Sequence, residues 1–153
     1  MLCFARWDET EPDVILIVNG PNLSQLGSRE TAVYGAQSLE EIIEAARSDA
    51  PDLRVFTSES EGDIITRLHA ARTDGTSAVV INPGALSHYS YALRDALEML
   101  SCPKVEVHLS QTPAREEFRH TSVVSAVVDV TITGARGFGY KLAVQAAQHL
   151  LAA

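Results

Sequence analysis

The sequence predicts one three-layer α/β domain built on a five-stranded parallel sheet. Two observations carry this. Apolar, β-branched runs recur at Val14–Val18, Leu53–Thr57, Ala78–Asn82, Lys104–Ser110 and Val127–Thr133. Between them lie stretches with helical spacing, and strands that alternate with helices form βαβ units and a parallel sheet. A third observation sets the domain count. The chain of 153 residues shows no composition break, no internal repeat and no low-complexity linker, and its length suits one core.

The elements follow in order. Val14–Val18 is a clean first strand. The segment after it, "GPNLSQLGSRETAVYG" at residues 20–35, is far longer than an ordinary strand-to-helix connection of about 2–6 residues. Ser38 and Glu41 then form a capping box that opens a helix over Leu39–Arg47. After the second strand, Ile64, Ile65, Leu68 and Ala71 make a helical stripe, with Gly75 as its left-handed stop. Ser90 caps a helix carrying Leu93, Leu97 and Leu100, with Pro103 just beyond. A last helix runs from about Gly139 to Leu151. Five strands with five helices and right-handed crossovers imply the flavodoxin-like order 2-1-3-4-5.

In such sheets ligands bind beyond the carboxyl ends of the strands, where strand order reverses. Here that edge collects Asn19 and Asn22 after the first strand, and Asn82, Ser87 and His88 after the third. The fourth strand ends next door in "EVHLS".

Composition narrows the partners. Apolar residues make up 46% of the chain, which argues for a packed core. Twelve basic against twenty acidic side chains give a net charge of −8, which disfavours a nucleic-acid partner. No run approaches a membrane span. Residues 1–12 read as an acidic leader, not a signal peptide, with Trp7 or Phe4 as candidate anchors; the domain then covers residues 13–153. Two cysteines, Cys3 and Cys102, make no disulfide framework and suggest a reducing, cytoplasmic setting. No Cys and His cluster has metal-ligand spacing.

Nucleotide motifs are missing too. No P-loop and no G-x-G-x-x-G follows the first strand, and no G-x-S-x-G nucleophile elbow exists. "GARGFG", residues 134–139, fits a glycine-rich loop only loosely and lies after the fifth strand. No cofactor is expected, and acid–base chemistry remains.

Three constellations suit that chemistry. A free tyrosine, with a pKa of about 10, is a poor base, and a neighbouring guanidinium stabilises phenolate. Tyr34 with Arg29, joined by Arg115, is therefore a candidate base; the alternative is a tyrosine plugging the loop and Arg29 paired with Glu30, which spacing alone favours. In "KVEVHLS", Glu106, His108 and Ser110 share one face of a strand. A carboxylate there favours imidazolium and so a general acid, although a histidine satisfied within the sheet fits as well. "AREEFRH" adds Arg115, Arg119 and His120, which with Arg29, His88 and His108 suggest a cationic pocket for an anion. An exposed turn with Arg115 paired to Glu116 or Glu117 is the plainer reading of that stretch.

Taken in register, "ILIVNGPNL", "VYG", "SESEGDII", "INPGALSHYS", "ALRDAL", "EVHLS" and "AREEFRH" resemble the type II 3-dehydroquinate dehydratase family, from about Asp13 to Leu151. The resemblance implies a flavodoxin-like fold and removal of water from 3-dehydroquinate to give 3-dehydroshikimate, with no metal or cofactor. It implies a homo-oligomer, a dodecamer built of trimers, acting on a small anionic cyclic hydroxy-acid. By the same resemblance Tyr34 is the general base, with Arg29 and Arg115 in support. Asn22 holds a water against the developing enolate. His108, oriented by Glu106, protonates the leaving hydroxyl. The N–H groups of Leu109 and Ser110 cradle the carboxylate. Asn82, His88 and Arg119 bind hydroxyls, and Asp95 reaches in from a neighbouring subunit. The long loop becomes a lid that carries the base.

Several residues depart from the family pattern. Thr31 stands where proline is usual, Gln25 where an apolar residue is usual, and Glu59 where Asn or Asp is usual. Gln111 and Pro113 replace the usual Asn and His and are expected to border the carboxylate cradle. Other readings share the fold: a receiver or flavodoxin module, a dehydratase of a related hydroxy-acid, or a weakly active paralogue with a binding role. Asn19 and Asn82 replace the acidic groups a receiver needs, and "GPNLSQLG" poorly suits a flavin phosphate loop.

Overall fold

A computed structural model describes residues 12–50 and 52–153. The expectations for the leader, Trp7, Phe4 and Cys3 lie outside the described residues.

The sheet has five parallel strands: β1 Ile15–Asn19, β2 Leu53–Thr57, β3 Ala78–Asn82, β4 Lys104–His108 and β5 Val130–Thr133. Their order is β2-β1-β3-β4-β5, as expected. Period-2 alternation splits the strand side chains between two cores. Ile15, Ile17, Val80, Val105 and Val107 pack on one face against α2 (Leu39–Arg47) and α5 (Phe138–Ala152). Leu16, Val18, Val79 and Ile81 pack on the other face against α3 (Glu61–Ala71) and α4 (Tyr91–Glu98). β1 and β3 are buried along their whole length, because helices cover both of their faces.

The caps read from the sequence are formed. Ser38 Oγ accepts the Glu41 N–H at 3.2 Å, while Glu41 Oε2 accepts the Ser38 N–H at 2.8 Å. Ser90 Oγ accepts the Leu93 N–H at 3.0 Å at the start of α4. Gly75 differs from expectation. α3 ends at Ala71, so Gly75, with φ +86°, shapes the later turn into β3 instead of stopping the helix.

The strand bounds also differ. β4 ends at His108 instead of Ser110, and β5 begins at Val130 because Ser125–Val127 winds into a 3₁₀ turn. The fifth helix is not a crossover between these strands. α1 is a single turn, Thr31–Tyr34, inside the long loop after β1. The β4-to-β5 connection consists of 3₁₀ turns at Thr112–Ala114, Glu117–His120 and Ser125–Val127. It contains Pro113 and lacks a continuous apolar stripe, so it has no helix face to bury.

Glycine is required where the loops after β1 and β3 cross. The Gly20 N–H donates to the Asn82 carbonyl at 2.8 Å, and a Cβ at Gly20 would lie 2.7 Å from the Pro83 carbonyl oxygen. This close approach lets the two loops leave the sheet on opposite sides of the switch point.

Candidate active site

An open cleft lies at that switch point. The loop after β1 contributes Asn22, Arg29 and Tyr34. The loop after β3 adds Asn82 and His88, and the end of β4 with its following turns adds His108, Leu109, Ser110, Arg115 and Arg119. Ten sequence-predicted site residues therefore meet in one place, with Glu106 directly behind them.

The one-turn α1 brings Tyr34 back over the rim. Arg115 Nη1 donates to the Tyr34 hydroxyl at 3.0 Å and to Ser110 Oγ at 3.2 Å. Arg29 Nη2 lies 3.5 Å from the same hydroxyl, and its guanidinium sits 4.6 Å from the ring centroid. Two cations thus face one phenol oxygen, and any phenolate formed there is stabilised by both. Arg29 is not paired with Glu30. Arg115 does meet Glu116, at 3.5 Å through Nε, so it serves both readings of its stretch. Glu116 also holds Arg119 Nε at 2.7 Å, and the Arg119 guanidinium stacks 4.7 Å from the Phe118 ring centroid.

On β4, strand alternation turns Glu106 and His108 to the same side. Glu106 is fully buried, and its Oε1 accepts from His108 Nε2 at 2.7 Å. That leaves His108 Nδ1 for the cleft. Burial pushes the Glu106 carboxyl up; the hydrogen bonds from His108 and Ser125, the charge of His108 and the Ser122 bond outweigh it and hold the carboxyl below its ordinary value of 4.5.

The floor of the cleft offers donors. Leu109 and Ser110 are buried, and neither backbone N–H meets an acceptor among the described residues. Two adjacent buried N–H groups without partners suit an anion, because leaving them unpaired is costly. His88 Nδ1 donates to the Thr121 carbonyl at 2.8 Å, which leaves Nε2 for the cleft, and its ring meets Phe118 edge-on. Asn82 Oδ1 accepts the Gly84 N–H at 3.2 Å, and its side chain also meets the buried Tyr140 hydroxyl.

Some expectations do not meet in the cleft. Asp95 is exposed on α4 and does not line it. His120 is exposed and donates to the Arg115 carbonyl at 3.1 Å, so it supports the turn and is no part of the cationic rim. Asn19 is buried between the Tyr140 hydroxyl, at 2.7 Å, and Thr57 Oγ1, at 3.2 Å. Ser87 is spent on the Gly84 carbonyl at 2.9 Å. Gln111 turns to the Thr133 hydroxyl, and neither it nor Pro113 lines the cleft; Thr112 does. The glycines of "GARGFG" serve packing, since a Cβ at Gly137 would lie 2.7 Å from Ile42.

Other residues had no role assigned from the sequence. Glu59 Oε2 accepts the Asn22 N–H at 2.7 Å and its Oε1 the Ser24 hydroxyl at 2.6 Å, so this departure from the family pattern anchors the start of the lid loop. Asn22 is held there in a left-handed conformation, φ 71°. Ser122, Ser125 and Thr131 all donate to Glu106. Among the described residues no group of three or more His, Cys, Asp or Glu is arranged to hold a metal ion, and no helix is long and apolar enough to cross a membrane.

A cation-rimmed cleft lies at the switch point of a flavodoxin-like α/β sheet, with a phenol and an imidazole on its wall. The family model of dehydroquinase class II matches residues 13–148, and the chain belongs to that family. It is 51% identical over 134 residues to the 3-dehydroquinate dehydratase of Bacillus subtilis strain 168, covering 85% of this chain and 90% of that protein. The 3-dehydroquinate dehydratase of Thermotoga neapolitana is 47% identical over 135 residues, covering 86% and 91%. The crystal structure of type II dehydroquinase from Butyrivibrio crossotus superposes with a TM-score of 0.87 at 40% identity, covering 90% of this chain and 98% of that one.

Proposed function

We propose that residues 13–153 form one catalytic domain that dehydrates 3-dehydroquinate to 3-dehydroshikimate through an enolate. The observation that carries this reading is the shared cleft: the Tyr34 hydroxyl against Arg115 on one wall, and the Glu106–His108 pair on the other. The substrate carboxylate binds the Leu109 and Ser110 N–H groups. Tyr34, as phenolate held by Arg115 and Arg29, takes the proton beside the ketone. Asn22 positions a water that donates to the enolate oxygen, where negative charge develops. The enolate then collapses, the carbon–oxygen bond to the leaving hydroxyl breaks, and His108 gives that oxygen its proton through Nδ1. Asn82, His88 and Arg119 hold the ring hydroxyls. The proton transfers and the carbon–oxygen cleavage are assigned to side chains and a water, with no step given to a metal or cofactor.

The cleft is open on one side, and the lid residues Arg29 and Tyr34 close over it to exclude water. The assembly is a cytoplasmic homo-oligomer, a dodecamer of trimers, in which Asp95 enters a neighbour's cleft. Its exposure on α4, with no salt-bridge partner among the described residues, leaves it free to do so. Asp95→Asn is expected to leave the assembly intact by light scattering while lowering turnover; unchanged turnover removes Asp95 from the site.

Proton NMR tests the reaction itself. 3-Dehydroquinate incubated with the protein in chelator should lose its methylene signals beside the ketone and gain one vinyl signal. A spectrum that stays unchanged at micromolar protein overturns the proposal.

A further inference from the structure

The mechanism uses Glu106 and His108 but says nothing of the groups packed behind them. Four donors converge on the Glu106 carboxylate. Oε1 accepts from His108 Nε2 at 2.7 Å and from Ser122 Oγ at 3.2 Å. Oε2 accepts from Ser125 Oγ and from Thr131 Oγ1 at 3.3 Å. Thr131 sits beside Glu106 in the β4–β5 register, so it is a cross-strand neighbour. Ser122 and Ser125 arrive from the crossover, over twelve residues further along the chain.

That crossover is pinned at several points. The Val123 N–H donates to the Ser87 carbonyl at 2.7 Å, and Arg94 Nη1 donates to the Val123 carbonyl at 2.9 Å. Ser122 Oγ accepts the Ser125 N–H at 3.1 Å. Ser125 opens the 3₁₀ turn Ser125–Val127, Ser122 lies three residues before it, and both hydroxyls reach the one carboxylate.

We propose that Ser125 is a positioning residue for the Glu106–His108 pair: with Thr131 it fixes the far oxygen of the carboxylate and keeps the shared proton on the imidazole. This rests on the reading of His108 as the general acid. A buried carboxylate and imidazole can share their proton in two ways. The charged form, carboxylate with imidazolium, has an acid ready at the cleft. The neutral form, carboxylic acid with imidazole, has none. Burial favours the neutral form, since both charges lose water. Hydroxyls that donate to the carboxylate favour the charged form, because hydrogen bonds to an ion are stronger than those to a neutral group.

Few other charges compete at this place. From β3 the register neighbour is Ile81, and from β5 it is Thr131. From α4 comes Arg94, spent on the Val123 carbonyl, and Glu61 of α3 takes the Ser90 hydroxyl. Across the cleft stand His88, Tyr34 and the cations Arg29, Arg115 and Arg119. Glu106 has His108 as its one ion-pair partner among the described residues.

The test uses the whole protein with Ser125→Ala, Ser125→Thr and, alongside, His108→Gln. Turnover is followed, and the His108 ring nitrogens are read by ¹⁵N NMR without substrate. Ser125→Ala should lower kcat roughly tenfold, the equilibrium value of one hydrogen bond to a charged group. KM should hold. Loss of a donor to the carboxylate favours the neutral form of the pair, so the imidazolium signal at neutral pH declines. Ser125→Thr keeps the hydroxyl and should restore both. Wild-type kcat and nitrogen shifts in Ser125→Ala overturn the proposal, as does lost activity with unmoved nitrogen shifts. If His108→Gln turns over normally, the acid assignment falls by itself; the nitrogen shifts of Ser125→Ala then still decide where Ser125 places the proton.

Discussion

Tyr34→Phe is expected to lower kcat by about 10²–10⁴, the usual contribution of a general base. The substitution removes one oxygen and nothing else. The ring keeps its packing against the core under α2 and α5, and Arg115 keeps its bond to Ser110 Oγ at 3.2 Å. Folding should therefore be unchanged by thermal denaturation. Binding of a carboxylate analogue should persist in calorimetry, since the Leu109 and Ser110 N–H groups are untouched. Near-normal turnover in this variant would remove Tyr34 as the base.

His108→Gln is expected to have a loss of similar size, by a different route. Glutamine still offers Glu106 an N–H, so the buried carboxylate is not stranded, which would otherwise cost about 3–5 kcal/mol. What disappears is the proton that the imidazolium gives to the leaving hydroxyl. The enolate still forms but finds no acid. The loss should not be recovered at low pH, since no group at that position titrates. A variant that regains activity on acidification would show that another donor, His88 or water, protonates the leaving group.

The sheet was legible because its strands are short, β-branched and separated by strongly patterned helices. Ser38, Glu41 and Ser90 announced the caps, and period-2 alternation placed Glu106 behind His108. The meeting of Arg29, Tyr34 and Arg115 was not legible from spacing. Arg29 and Tyr34 are five apart and share no helix face; the single turn of α1 joins them, and Arg115 comes from 81 residues away. The 3₁₀ turns of the β4-to-β5 crossover were not legible, because they depend on tertiary partners such as Arg94 and Ser87 that leave no local pattern. For the same reason Ser122 and Ser125 stayed hidden, while Glu59 stood out only as a departure from the family pattern. Asp95 shows the opposite case: the resemblance alone assigns it a role, and within one chain it stays away from the cleft.

The central claim is a stepwise division of labour, with Tyr34 removing a proton and His108 adding one. Deuterium exchange separates the two. With 3-dehydroquinate in D₂O, His108→Gln should wash deuterium into the position beside the ketone faster than buffer does, with almost no 3-dehydroshikimate formed. Tyr34→Phe should do neither. Exchange that survives in Tyr34→Phe, or product formed by it at the wild-type rate, would contradict the account.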